Sequence, residues 1–92
     1  MKRVAVQLRI EGRVQGVGFR YSALSAANRN HLAGWVRNEM DGSVSAFCEG
    51  TASDVDAFIS WCKKGPPFAH VTSVGIKKLP CRGVYSRFTI EY

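Results

Sequence analysis

The chain opens with a period of two. Val4, Val6, Leu8 and Ile10 alternate with Ala5, Gln7, Arg9 and Glu11, which predicts a first strand with one apolar face. The period then lengthens. From Phe19 to about Asn30, the residues Phe19, Ala23, Ala26 and Ala27 fall on one stripe with Leu24 at its edge, predicting a helix. Gly34 to Asn38 reads as a second strand. In NEMDGS the Asp41-Gly42 pair signals a hairpin, and Val44, Ala46 and Cys48 beyond it share one face of a third strand. Val55, Phe58, Ile59 and Cys62 are spaced for a second helix. Ser53 is placed to cap that helix, with Asp56 three residues on and Asp54 in the first turn. Lys63 and Lys64 suit its last turn, Gly65 a left-handed end, and Pro66-Pro67 prevents continuation. A fourth strand is expected around Val71 to Lys78. A last short one carries Phe88, Ile90 and Tyr92 in alternation with Thr89 and Glu91.

The order β-α-β-β-α-β with a short extra strand predicts an α+β fold, a ferredoxin-like sandwich. It has one antiparallel sheet and both helices on one face. No linker, repeat or low-complexity tract divides the 92 residues, so residues 1–92 are expected to form one domain. The first two strands are joined through a helix and so run parallel, with the third between them. Their C-terminal ends then share one edge of the sheet. The Gly12–Gly18 loop leaves the first strand at that edge, and Asn38 ends the second there.

Composition narrows the class. A hydrophobic share of 46% and a charged share of 22% are ordinary for a globular chain. No apolar run approaches the ~20 residues of a membrane span, and Gln7 and Arg9 interrupt any secretory signal core. Cys48, Cys62 and Cys81 are widely spaced without a CxxC or a zinc pattern, so a reduced, cytoplasmic chain is expected, with thiols at least partly buried. The net charge of +6 suits an anionic partner or simple solubility, and charge alone does not choose.

One stretch carries candidate chemistry. GRVQGVGFR, Gly12 to Arg20, holds three of the nine glycines and ends in a cation at the start of a predicted helix. That is the positive end of the helix macrodipole, so Arg20 calls for an anion. Gly12, Gly16 and Gly18 permit positive φ. Successive N–H groups of such turns form anion-binding nests, and the helix start adds its own unpaired donors. Arg20 projects between the directions of Ala27 and Leu24, and its planar fork of donors fits a phosphate. A tight strand–helix turn with Arg20 snorkelling over the core is the alternative. The stretch lacks the GK[ST] of a P-loop and the third glycine of a dinucleotide fingerprint.

Val14 to Arg20, VQGVGFR, matches a V-Q-G-V-x-F-R run. Gly34, Trp35, Val36, Arg37, Asn38, Gly42, Val44 and Gly50 match a second signature, G-aromatic-V-R-N followed by spaced G-x-V and G. In both, and in GPPFAHV and FTIEY, the chain resembles the acylphosphatase family over essentially its whole length. The resemblance implies hydrolysis of the carboxyl–phosphate anhydride of acyl phosphates to carboxylate and inorganic phosphate. It maps the family's arginine onto Arg20 and its catalytic asparagine onto Asn38. Backbone amides of Gln15, Gly16, Val17, Gly18, Phe19 and Arg20 would cradle the phosphate. It implies no metal and no organic cofactor, a small-molecule acyl phosphate as partner, and inorganic phosphate as product and competitive inhibitor. A monomer is expected, with no nucleic acid and no membrane. The family's L-G-L-x-G-W is here Asn30-His31-Leu32-Ala33-Gly34-Trp35, with His31 in place of the helix-ending glycine and Asn30 in place of an apolar residue. Asn or His can enter the left-handed region at some cost, so a less stable helix end with activity retained is expected.

The chemistry is consistent with these residues. A carboxylate leaves readily, so the demands are binding the phosphoryl group and orienting a water in line. Arg20 and the loop amides meet the first demand. Asn38 meets the second, with a substrate phosphate oxygen taking the proton. His31 and His70 are read as surface or loop residues, Trp35 and Trp61 as packing, and Asp41 as turn chemistry. Arg37 is either edge charge or a guide for anions. Two rival readings lack turnover. One is a phosphate- or carbamoyl phosphate-binding domain. The other is a nucleic-acid module, which would need stacking aromatics on the central strands, where SVSAFCE has one and VAVQLRIE none.

Overall fold

In the computed structural model, which describes residues 2–92, the N-terminal alternation becomes strand β1, Arg3–Arg13, with Val6, Leu8 and Ile10 buried. Helix α1 (Phe19–Arg29), strands β2 (Ala33–Asn38) and β3 (Val44–Thr51), helix α2 (Ala52–Lys64) and strands β4 (His70–Leu79) and β5 (Phe88–Glu91) follow. The sheet order is β4-β1-β3-β2-β5. The four longer strands pair antiparallel. The short extra strand β5 instead joins β2 in parallel. β1 and β2 both pair antiparallel with β3, which lies between them, and so run parallel to each other.

The core lies between the sheet and the two helices. Val36, Val44, Ala46 and Cys48 meet Phe19, Ala23, Ala26 and Ala27 of α1 and Val55, Phe58 and Cys62 of α2. Alanines on α1 let it sit close to the sheet, and the aromatics fill the space between the helices. Phe19 and Phe58 lie 5.2 and 6.2 Å from Trp61, ring to ring, so Trp61 packs as expected. Burying one large apolar side chain stabilises the fold by roughly 1.5–3 kcal/mol.

Two boundaries differ from those expected of the sequence, and the end of α1 agrees. β1 runs on to Arg13 because its pairing with β4 resumes after a register shift between Glu11 and Gly12. Gly12 (φ 122°) is thus a bulge residue rather than part of the loop, and a Cβ there would collide with the His70 carbonyl. The cap of α2 is Thr51, not Ser53. β3 passes directly into α2, so Thr51 is the last extended residue, and its Oγ1 accepts from the Asp54 amide at 3.3 Å. Ser53 falls inside the first turn. At the end of α1, His31 takes the left-handed conformation (φ 56°), and the Asn30 side chain donates to the Ala26 carbonyl at 2.8 Å. Cys48 and Cys62 are buried, but Cys81 is exposed, because it lies on the Pro80–Arg87 connection outside the core. No helix among the described residues is long and apolar enough to cross a membrane.

Candidate active site

The strand register brings the two candidate segments to one edge. Ile10 of β1 and Asn38 of β2 both pair with Val44 of β3, one on each side. The loop that follows β1 therefore starts one strand away from Asn38. Asn38 shares the side-chain parity of Val36, which is fully buried, so it faces the helix side of the sheet. Trp35 and Arg37 face away from the helices, where Trp35 stacks on Phe47.

The loop is held at both ends by apolar side chains and inverted between them by glycine. Val14 and Phe19 are buried. Gly16 (φ 74°) and Gly18 (φ 77°) are left-handed, and a Cβ on either would meet nothing within 4 Å. Glycine is needed here for backbone conformation, and the space beside it is open. Gly18 is also the N-cap of α1. That cap makes no side-chain hydrogen bond, and the first turn holds no acidic residue. The helix start thus offers amide donors without a built-in anion.

Gln15 contributes more than its backbone. Its Nε2 donates to the carbonyls of Glu39 (2.8 Å) and Ser43 (2.9 Å), tying the loop to the β2–β3 hairpin. The sequence reading missed this side chain. Its partners lie 24 and 28 residues further on, and no local pattern signals such a contact. The hairpin is itself well fixed. The Glu39 amide donates to the Ser43 carbonyl at 2.9 Å. Asp41 Oδ1 accepts from the Ser43 hydroxyl (2.6 Å) and amide (3.0 Å), and the Arg9 guanidinium pairs with the same carboxylate. The Ser43 hydroxyl and amide, and then Arg9, hold the Asp41 carboxyl well below its ordinary range. Asp41 is turn chemistry, as its position suggested.

Arg20 is half-buried in the first turn of α1. Its guanidinium carbon lies 5.1 Å from the centroid of the Tyr92 ring. Glu91 pairs in register with Arg37, so Tyr92 follows at the level of Asn38, and Arg20 stands over the end of β2. Among the described residues, Arg20 makes no ion pair with a carboxylate. Arg37 is the opposite case. It pairs with Glu39 at 2.9 Å and Glu91 at 3.7 Å and lies over the Trp35 ring at 4.5 Å. The Glu39 hydrogen bond raises its pKa further. Its charge is committed within the outer face, which favours the edge-charge reading over anion guidance.

His31 and His70 are exposed, His31 in the turn between α1 and β2 and His70 at the start of β4. No group of three metal-ligating side chains occurs among the described residues. The groove of about 580 Å³ lined by Ser22, Ser25, Arg29, Trp61 and Lys64 lies across α1 from Arg20. The edge carries loop amides, the Arg20 guanidinium and the Asn38 carboxamide, donors of the kinds that suit a tetrahedral anion.

The sequence and the fold match those of known proteins. A family model described as acylphosphatase matches residues 6–90. The chain is 44% identical to an acylphosphatase of Methylococcus capsulatus, covering 98% of this chain and 96% of that one. It is 53% identical to an acylphosphatase of Thermococcus kodakarensis over 84% of this chain and 85% of that one. The crystal structure of acylphosphatase from Bacillus subtilis superposes with a TM-score of 0.93 at 37% identity, covering 97% of this chain and 99% of that one.

Proposed function

Because the chain belongs to the acylphosphatase family, we propose that it hydrolyses the carboxyl–phosphate anhydride of small acyl phosphates at the edge where the loop, the start of α1 and the end of β2 meet. The observation that carries this assignment is the register, with Ile10 and Asn38 on either side of Val44. It sets the left-handed glycine loop beside the one carboxamide at the end of β2.

In this reading the amides of Gln15 to Arg20 and the Arg20 guanidinium bind the phosphoryl oxygens. They stabilise equatorial charge as the bond to the leaving group lengthens. Asn38 holds a water in line on the opposite side of phosphorus. The water oxygen bonds to phosphorus, the acyl oxygen–phosphorus bond breaks, and its electron pair leaves with the carboxylate. The water proton passes to a phosphate oxygen. A carboxylate is a good leaving group, so no general acid is needed. Asn38 is no base, and the phosphate oxygen supplies that role.

The test is hydrolysis of benzoyl phosphate in the presence of EDTA, with inorganic phosphate as a competitive inhibitor. Turnover with competition by phosphate supports the reading. Phosphate binding without turnover would replace the assignment with a binding domain, and the absence of both turnover and phosphate binding would remove it altogether.

A further inference from the structure

We infer that the Gln15 side chain is a positioning residue that sets Asn38 against the phosphate-binding loop. The inference rests on the function proposed above and assigns the side chain a role separate from the Gln15 backbone amide. A carboxamide nitrogen has two hydrogens. Here both are used, one on the Glu39 carbonyl at 2.8 Å and one on the Ser43 carbonyl at 2.9 Å. Glu39 follows Asn38 directly, so one of the two bonds lies a single peptide from the residue that orients water. Ser43 is almost fully buried, which strengthens a hydrogen bond at its carbonyl.

The geometry needs this link. Loop and hairpin leave the sheet from different strands, and β3 separates those strands. Along the chain they connect only through α1 and β2. The amides that would hold phosphate are on the loop, whereas the carboxamide that would hold water is on the hairpin side. In-line attack requires the two to be set to within about an ångström, and an error of that size costs on the order of a hundredfold in rate. Gln15 bridges them with two bonds that fix both distance and rotation. Its replacements fail for separate reasons. Methionine has the length without the donors. Glutamate has the shape, but its ionised oxygens would face two carbonyl oxygens.

The experiment compares wild type, Gln15→Met and Gln15→Glu in steady-state hydrolysis of benzoyl phosphate, with inorganic phosphate as the ligand for the cradle. We expect kcat to fall roughly tenfold to hundredfold in Gln15→Met, with the phosphate Ki changed by less than about threefold. In an Asn38→Ala background the same change should cost less than about twofold more, because the group that Gln15 positions is already gone. Gln15→Glu should resemble Gln15→Met near neutral pH. It should recover activity relative to wild type as pH falls, when the protonated carboxyl regains one donor. If Gln15→Met fails to fold, Gln15→Asn keeps the amide one methylene short and is judged by the same criteria. A wild-type kcat, a loss that multiplies with that of Asn38→Ala, or a loss confined to phosphate affinity would overturn the inference. Absence of turnover in the wild type would instead overturn the parent reading and the inference with it.

Discussion

The guanidinium of Arg20 lies over the ring of Tyr92, with its central carbon 5.1 Å from the ring centroid. An aromatic face orients a cation without neutralising it, as a carboxylate would, so the full charge stays available to an incoming anion. The neighbouring Tyr21 hydroxyl raises the pKa of Tyr92. Tyr92→Ala should lower kcat/KM for benzoyl phosphate by about threefold to tenfold, whereas Tyr92→Phe should lose less than half of that effect in free energy. Arg20→Ala should cost at least about a hundredfold, and Arg20→Lys should recover little of it, because a point charge does not reproduce a planar fork.

Asn38→Ala removes the proposed water-orienting amide and leaves the loop untouched. The expected signature is a fall in kcat of roughly a hundredfold or more with phosphate Ki within about threefold of wild type. Parallel losses in both constants would place Asn38 in phosphate binding instead.

Two glycines separate backbone strain from steric collision. At Gly34 (φ 144°) a Cβ would run into the Phe47 carbonyl on the neighbouring strand. Gly34→Ala is therefore expected to destabilise the fold by more than about 3 kcal/mol in urea denaturation. Gly16 has no neighbour within 4 Å of a Cβ, and Gly16→Ala should cost only the left-handed strain, about 1–2 kcal/mol.

The Asp41 hairpin gives stability a defined acid limb. The Asp41 carboxyl is held below its ordinary value of 3.8 by the Ser43 hydroxyl and amide and then by Arg9. A depressed carboxyl stabilises the fold above its unfolded pKa, and that contribution is lost as pH falls through the lower folded value. Stability measured from pH 6 downward should therefore drop in the wild type below about pH 4. In Asp41→Asn that part of the drop should be absent, with stability already lower at neutral pH.

The thiols should divide two to one. Burial pushes the Cys48 thiol up to about 12, and burial likewise raises Cys62. Cys81 is exposed, although its contact with Glu49 raises its pKa too. Iodoacetamide at pH 8 followed by mass spectrometry should label Cys81 alone in the folded protein. Cys48 and Cys62 should react only after denaturant is added.

What the sequence determined by itself was whatever is local. Alternation along Val4–Ile10, the apolar spacing on both helices and the Asp41-Gly42 turn produced the order of elements, because period and turn chemistry depend on neighbours within a few residues. The helical connection between the first two strands makes them parallel, and that alone sets the loop and Asn38 at one edge of the sheet. Boundaries set by tertiary pairing were not legible. β1 extends through Gly12 only because β4 lies beside it, and Thr51 caps α2 only because β3 ends there. The same division holds at the site. Arg20 and the glycines stand out as a composition anomaly and a motif. The Gln15 bonds to Glu39 and Ser43 and the Tyr92 ring beneath Arg20 join residues far apart in the chain. Only folding decides those contacts, because hydrogen bonds and ring contacts depend on distances in space that no local spacing encodes.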